Sequence, residues 1–241
     1  MTPFEPSKTP LSPSPTIEAI QMTGGLLVIF AHPDDETFGC GGTLALHAEV
    51  GHSVGALSLT CSDPERSPEL KAAAEALGID EPVIFEEKNI KLSPGLIRRI
   101  SEVIVERRPE VVITHLPFDY HREHRMAHEL VKEAIEWAAH TTTHDPAWNV
   151  GRLLLMEVNT LIPSPHVIID VSEAWPRKRE AIEAYKSQLA KFRWGYYQGF
   201  MEKKAELRGF QGGCRYAEAF LEEPLAESGP FYQEKSTKSL L

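Results

Sequence analysis

A short apolar segment that runs into an acidic turn and then a glycine-rich stretch most restricts how this chain can fold. The segment Leu26 to Phe30 has the length and residue types of a buried strand. It is followed by His32, three carboxylates at positions 34–36 and glycines at positions 39, 41 and 42, after which the sequence becomes helical in character. Open α/β sheets bind ligands at the carboxyl ends of their strands, where this turn would lie.

Strand-like and helix-like segments alternate along most of the chain. We predict strands at 26–31, 53–60, 82–86, 110–115, 152–158 and 166–171, and helices at 40–50, 68–77, 94–108, 124–140 and 176–191. The alternation requires crossover connections, so it predicts an α/β fold with a mostly parallel central sheet and helices on both faces. The loops after the first and fourth strands then lie at the same edge of the sheet. No clear pattern predicts elements over 192–241.

Composition narrows the class of protein. The chain has 241 residues, which suits one substantial domain over 24–241. Residues 1–23 are rich in Pro, Ser and Thr and are predicted to be a flexible N-terminal arm. A formal charge of -10 without a Lys/Arg cluster argues against nucleic-acid and membrane partners. With three cysteines, no apolar run of spanning length and no secretory signal, we expect a cytoplasmic protein.

The first acidic turn has the donors of a metal site. His32 and Asp35 are three residues apart and can face one divalent cation, with a third ligand from the loop after the fourth strand. Three protein ligands plus a water are typical of a hydrolytic zinc site, and Asp34 then remains available as a general base. A dinucleotide site is disfavoured, because the glycine spacing differs from G-x-G-x-x-G and the carboxylates would repel a pyrophosphate. The competing interpretation is a solvated acidic turn.

The loop after the fourth strand carries a similar mixture over Asp119 to His124. If this segment is helical, His121 and His124 share a face, so that one can bind metal while the other faces a substrate. A protonated His121 paired with a carboxylate would stabilise an oxyanion or protonate a leaving amine. His128 is a rival ligand, although a polar helix residue is the simpler interpretation. Asp63, after the second strand, is a candidate for substrate contact.

Two of these stretches resemble the signature motifs of a known family. AHPDDETFGCGG and FDYHREH are similar to the motifs of the PIG-L/LmbE-type zinc-dependent N-deacetylases. Shorter segments extend the resemblance over about residues 26–220, namely Arg66-x-x-Glu69, Lys178 to Gln188, and Tyr216 to Phe220.

This resemblance implies a Rossmann-like three-layer sandwich and metal-dependent removal of an N-acetyl group from an N-acetylglucosamine-containing small molecule. By position, it implies that Zn²⁺, or alternatively Fe²⁺, is bound by His32, Asp35 and His124. It also implies roles for four further residues: Asp34 as general base, His121 in transition-state stabilisation, Glu123 in orienting His121, and Arg66 facing the sugar. The family's common H-P-D-H reads H-R-E-H here, so Glu123 replaces an Asp and the turn loses a proline.

Several questions stay open at this point. The aglycone can be that of a bacillithiol- or mycothiol-precursor-like glucosaminide, a chitobiose unit or an antibiotic intermediate, and a homo-oligomer is compatible with the sequence. Two histidines and a carboxylate also form the site of non-haem iron oxygenases. A sugar-binding module without catalysis is a third hypothesis. Trp148, Trp194, Tyr196 and Tyr197 can stack on a sugar ring, or belong to the core or an interface.

Overall fold

The computed structural model describes residues 25–61 and 63–225, so the arm predicted for 1–23 lies outside the described residues. The strands are β1 (Gly25–Phe30), β2 (Val54–Ser58), β3 (Val83–Ile84), β4 (Pro109–His115), β5 (Arg152–Met156), β6 (Val167–Asp170) and β7 (Ala217–Glu223). The helices are α1 (Asp35–Glu49), α2 (Arg66–Leu77), α3 (Pro94–Arg107), α4 (Arg122–Ala139), α5 (Trp175–Ala184), α6 (Lys186–Leu189) and α7 (Tyr196–Gly212), and a short 3-10 turn (Arg193–Gly195) precedes α7.

The strands form one sheet in the order β3-β2-β1-β4-β5-β7-β6. The first five strands in this order are parallel, whereas β7 is antiparallel to both β5 and β6. The predicted mostly parallel α/β sheet is therefore confirmed. Strands β1 and β4 are direct neighbours, so the loops that follow them meet at one edge, as the alternation predicts.

The sheet separates two apolar cores because successive side chains of a strand point to opposite faces. Leu27 and Ile29 of β1 pack in the core that includes residues of α3 and α4. Val28 and Phe30 pack in the other core, which includes residues of α1, α2 and α5. This division gives the three layers of the domain and places α1 and α4 on opposite faces, with their N-termini at the same edge.

Three elements differ from the sequence prediction. Strand β7 lies in the segment without a clear pattern and inserts between β5 and β6. Helix α1 begins at Asp35 rather than near residue 40, which places two carboxylates in its first turn, where the helix dipole favours negative charge. The helix predicted for 176–191 breaks at Tyr185, whose buried hydroxyl donates a hydrogen bond to Glu36 Oε1 at 2.5 Å.

Helix α1 is bent at Cys40, whose backbone angles (φ -143°, ψ 16°) are not helical. A continuous helix would pair the Gly42 N–H with the Phe38 carbonyl. Instead, the Gly42 N–H donates to Glu218 Oε1 at 2.8 Å. The Phe38 carbonyl accepts from Lys178 Nζ at 3.3 Å and from Lys204 Nζ at 3.1 Å. Buried ionic side chains from α5, α7 and β7 thus replace the helical hydrogen bond and stabilise the bend.

Among the residues that the structure describes, no helix combines the length and the apolar character needed to cross a membrane.

Candidate active site

The turn between β1 and α1 is held in an unusual backbone conformation. Asp34 has φ 118° and ψ -29°, a region that residues other than glycine rarely adopt and that costs about 1–3 kcal/mol. Its backbone N–H donates to Glu36 Oε2 at 3.1 Å, and Glu36 is in turn fixed by the hydroxyls of Thr37 and Tyr185. Burial raises the pKa of the Glu36 carboxyl. The buried carboxylate of Glu36 thus stabilises the strained backbone conformation of Asp34.

Asp35 lies among histidines from both loops. Its Oδ2 accepts the backbone N–H of His32 at 2.8 Å and lies 3.4 Å from His32 Nδ1, while its Oδ1 lies 3.2 Å from His124 Nε2. Burial acts to raise the pKa of the Asp35 carboxyl, but the imidazoles of His124 and His115 outweigh it and hold that pKa well below its usual range. The structure therefore brings together all three residues predicted as metal ligands.

His124 is placed between two carboxylates. Its Nε2 faces Asp35, and its Nδ1 lies 3.3 Å from Asp119 Oδ1. Burial acts to lower the pKa of His124, but Asp35 and Asp119 overcome it and raise that pKa to about 10. No role was predicted for Asp119 from the sequence. Its position in the loop after β4, two residues before His121, is the signal that points to it.

His115, at the end of β4, packs against the ring of His124. Its Nε2 accepts the backbone N–H of Ala31 at 2.9 Å, and its ring stacks on that of His124 with the centroids 4.0 Å apart. Burial, followed by the charge of His124, lowers the pKa of His115 to about 4, so the ring is neutral. Because Nε2 accepts a hydrogen bond, the proton lies on Nδ1 and neither nitrogen offers a free lone pair. His115 is therefore a poor metal ligand.

The donor atoms of the cluster are close enough to share an ion. Those of His32, His121 and His124 lie within 4.8 Å of one another, and so do those of Asp35, His115 and His124. The predicted ligand set draws on both groups, which share His124. Buried polar atoms without a hydrogen-bond partner concentrate here, namely Nδ1 of His115, His121 and His124 and Oδ2 of Asp119. Imidazole and carboxylate donors suit Zn²⁺ and Fe²⁺, so the residues present fit a divalent cation.

Asp34 is paired with Arg66. Its Oδ2 lies 2.8 Å from Arg66 Nη2, which also donates to the carbonyl of Pro33. Burial, followed by the charge of Asp35, raises the pKa of Asp34 well above its usual value, and Arg66 opposes this shift. Arg66 was predicted to face the sugar. It does lie at the predicted edge, but its guanidinium is directed at Asp34 because α2 begins beside the β1–α1 turn.

Glu123, which was predicted to orient His121, makes its hydrogen bonds with other residues. Glu123 Oε2 lies 2.7 Å from His32 Nε2, and its Oε1 accepts the N–H of Ile90 at 3.3 Å. His121 has an extended backbone (φ -76°, ψ 124°) and precedes α4, whereas Glu123 lies in the first turn and its longer side chain reaches the opposite loop.

The ring of His121 also differs from expectation. Burial, followed by the charges of His124 and His32, lowers its pKa, so the protonated, carboxylate-paired form that we predicted is disfavoured. Its backbone N–H donates to Asp119 Oδ1 at 2.8 Å, which fixes the residue beside Asp35 and His124. The ring centroid lies 4.9 Å from that of His32 and 4.7 Å from that of His124.

Two other candidates lie outside the cluster. Asp63 is exposed, and its Oδ1 accepts the N–H of Glu65 at 3.0 Å, so its carboxylate shapes the turn before α2. His128 Nε2 lies 2.6 Å from Glu223 Oε2 of β7. His128 belongs to neither group of donor atoms, which leaves its structural interpretation as the better one.

Known proteins resemble this chain in sequence. Residues 27–135 match the profile of the family described as PIG-L, GlcNAc-PI de-N-acetylase. The chain is 28% identical over 187 residues to a probable N-acetyl-alpha-D-glucosaminyl L-malate deacetylase 2 of Bacillus anthracis, covering 68% of this chain and 81% of the relative. It is 27% identical over 220 residues to the diacetylchitobiose deacetylase of Thermococcus kodakarensis, covering 80% of each.

One relative carries a different activity, and a solved structure shares the fold. The chain is 26% identical over 198 residues to the 4-oxalmesaconate hydratase of Pseudomonas putida, covering 71% of this chain and 76% of the relative. The crystal structure of a conserved protein of Thermus thermophilus matches with a TM-score of 0.77 and 27% identity, over 86% of this chain and 98% of that one. With its two signature loops joined at one edge of the sheet, the chain is similar to the PIG-L family over residues 27–135.

Proposed function

We propose that this protein is a metal-dependent N-deacetylase that removes the acetyl group from an N-acetylglucosamine-containing small molecule. The observation that carries the proposal is the convergence of His32, Asp35 and His124 next to Asp34 at the carboxyl ends of β1 and β4. The deacetylases of Bacillus anthracis and Thermococcus kodakarensis, which act on N-acetylated amino sugars, support the substrate class.

We propose that His32, Asp35 and His124 hold Zn²⁺, with Fe²⁺ as the alternative. When bound there, such a cation lowers the pKa of a water and polarises a carbonyl. Glu123 and Asp119 position the two histidines, since each places a carboxylate oxygen near a ring nitrogen.

Asp34 is the proposed general base. The burial that raises the pKa of its carboxyl makes it a better proton acceptor, while Arg66 favours the ionised form and fixes its orientation. His121 is proposed to donate a hydrogen bond from its neutral ring to the oxyanion that develops when the amide carbon becomes tetrahedral. Arg66 is thus a positioning residue in this proposal.

The variant Asp34→Asn tests the function directly, because it removes the base and keeps the shape of the side chain. We expect the rate of amine release from N-acetylglucosamine, its malate and inositol conjugates or diacetylchitobiose to fall by about 10²–10⁴-fold. The metal content should be retained. The matched control is Asp80→Asn, an exposed partner of Arg107 outside the cluster, which should leave the rate unchanged. Full activity in Asp34→Asn, or activity in metal-free protein, would contradict the proposal.

A hydratase is the second candidate, and the relative in Pseudomonas putida is the observation that favours it. The same purified protein can be assayed with 4-oxalmesaconate by following the loss of its conjugated double bond. Hydration together with no amine release from any N-acetylated sugar would replace the first proposal with this one.

A further inference from the structure

An exposed group of aromatic side chains precedes and begins α7. We call Phe192, Trp194, Tyr196 and Tyr197 the aromatic rim. Trp194 is 97% exposed, Tyr196 55% and Phe192 48%. The rings of Phe192, Tyr196 and Tyr197 are contiguous, because the centroid of Phe192 lies 5.2 Å from that of Tyr196 and 5.0 Å from that of Tyr197. Trp194 lies between Phe192 and Tyr196 in the chain. A contiguous apolar group that remains exposed usually marks a binding site.

The backbone of Trp194 adopts an energetically unfavourable conformation, although its side chain is exposed to solvent. Trp194 has φ 63° and ψ 23°, and Gly195 follows with φ 64°. A bulky residue in this left-handed region is strained, and such strain persists where the surrounding structure enforces it. Because the indole is almost fully exposed, burial of its own apolar surface does not offset the strain.

Two tethers place the rim beside Asp34 and Arg66. The ring of Tyr197 contacts that of Phe38, one helical turn beyond Asp34, with the centroids 5.4 Å apart. Upstream of the rim, the backbone N–H and hydroxyl of Ser187 donate to Glu69 at 2.7 and 2.6 Å. Glu69 lies one turn beyond Arg66 on α2. The segment between these tethers therefore lies at the same edge of the sheet as the proposed base.

The groups that shift the pKa of Tyr197 also place the aromatic rim near Asp34. Burial, followed by the carboxylate of Asp34 and the phenol of Tyr120, raises the pKa of the Tyr197 hydroxyl. Tyr120 is 71% exposed and its ring contacts that of His121 at 6.2 Å. Aromatic side chains thus extend from the side of Asp34 toward the side of His121.

We propose that the aromatic rim, with Trp194 as its main contact, is the subsite that binds a ring attached to the N-acetylated sugar. This inference rests on the proposed function and names its substrate class, a glucosaminide whose aglycone is a second sugar or an aryl group. Pyranose and aryl rings both present an apolar face that stacks on aromatic side chains. The rim carries a single charged neighbour in its span, Arg193, so an uncharged ring suits it better than an acidic chain.

A binding experiment tests the subsite without any turnover. The intact protein is titrated with phenyl glucosaminide and separately with chitobiose, both of which lack the acetyl group, and binding is followed by titration calorimetry. We expect saturable binding in the wild type and at least about fivefold weaker binding in Trp194→Ala. Phe210→Ala, which removes another aromatic side chain of 88% exposure on α7, is the matched control and should bind as the wild type does. Comparing the two ligands distinguishes an aryl from a sugar preference.

A kinetic experiment then connects the subsite to the reaction. For Trp194→Ala, kcat/KM should fall at least about fivefold more for phenyl N-acetylglucosaminide or diacetylchitobiose than for N-acetylglucosamine. Equal binding of both ligands by the wild type and Trp194→Ala would overturn the inference. So would a change of Trp194→Ala from oligomer to monomer in light scattering, since the rim would then be an interface between copies. If no N-acetyl compound is hydrolysed, the proposed function fails, and the titration still decides the subsite.

Discussion

Two polar clusters that adjoin helix α1 differ in how completely their groups are paired. The front cluster contains His32, Asp35, His124 and Asp119, and the back cluster contains Lys178, Lys204 and Glu218. Within residues 25–61 and 63–225, the back cluster has no buried side-chain atom without a hydrogen-bond partner, whereas several such atoms lie in and around the front cluster. Fully paired networks are typical of structural roles, and buried unpaired donors or acceptors need a ligand or another explanation.

The back cluster shows what complete pairing involves. Glu218 accepts the Gly42 N–H on one carboxylate oxygen, the Thr43 N–H and hydroxyl on the other, and pairs with Lys178 Nζ at 2.6 Å. Lys204 donates to three carbonyls, those of Phe38, Glu157 and Val158. The backbone N–H and carbonyl groups around the back cluster thus supply most of the partners of its charged groups.

The largest expected effect is the loss of bound metal when a residue of the front cluster is substituted. Asp35→Asn removes a proposed ligand, so we expect bound Zn²⁺ to be lost and deacetylation to fall by at least about a thousandfold. Metal analysis of the purified variant and an amine-release assay measure both. Asp119→Asn, which alters only the partner of His124, should weaken metal affinity by about 10–100-fold. Normal metal content in Asp35→Asn would remove the distinction between the two clusters.

The next effect concerns the back cluster and stability. Glu218→Gln leaves Lys178 buried without its counter-charge, so we expect the free energy of unfolding to fall by about 3–5 kcal/mol in urea titrations. Metal stoichiometry of the folded fraction should not change. The control is Glu222→Gln on the same strand, whose pair with Arg152 is exposed and should contribute less than about 1 kcal/mol. A loss of metal without a loss of stability would mean that the back cluster serves the site directly.

The smallest effect concerns the close approach of α1 to Val171, the residue that follows β6. A Cβ added at Gly42 would lie 2.7 Å from Val171 Cβ and 2.9 Å from its Cγ1, and a branched buried side chain cannot easily move away. We expect Gly42→Ala to lower the free energy of unfolding by about 1–3 kcal/mol. Gly95→Ala in α3 meets no atom within 4 Å and should be neutral or slightly stabilising. Equal urea midpoints for the two variants would show that the bend tolerates a side chain.

The sequence predicted the edge of the sheet at which the site forms because that inference uses local patterns alone. Apolar runs at β1 and β4, each followed by histidines and carboxylates, predict two loops that meet once the strands are parallel neighbours. The family resemblance then selected His32, Asp35 and His124, which the structure brings together.

Contacts between distant side chains were harder to predict. The pairing of Asp34 with Arg66 and of Glu123 with His32 depends on side-chain reach across loops that are 32 and 91 residues apart in sequence. Strand β7 was missed because its neighbours β5 and β6 both precede it by long segments, and its partial alternation of apolar and polar residues is weak. The break at Tyr185 likewise depends on a buried hydrogen bond to Glu36.

The bend in α1 has a consequence for how the protein is made. The carboxylate that takes up the Gly42 N–H comes from Glu218, 176 residues later in the chain. During synthesis the ribosome completes α1 long before it reaches that residue. The Gly42 N–H therefore lacks this partner until β7 has emerged, and the bend in α1 acquires its final hydrogen bonds late in synthesis.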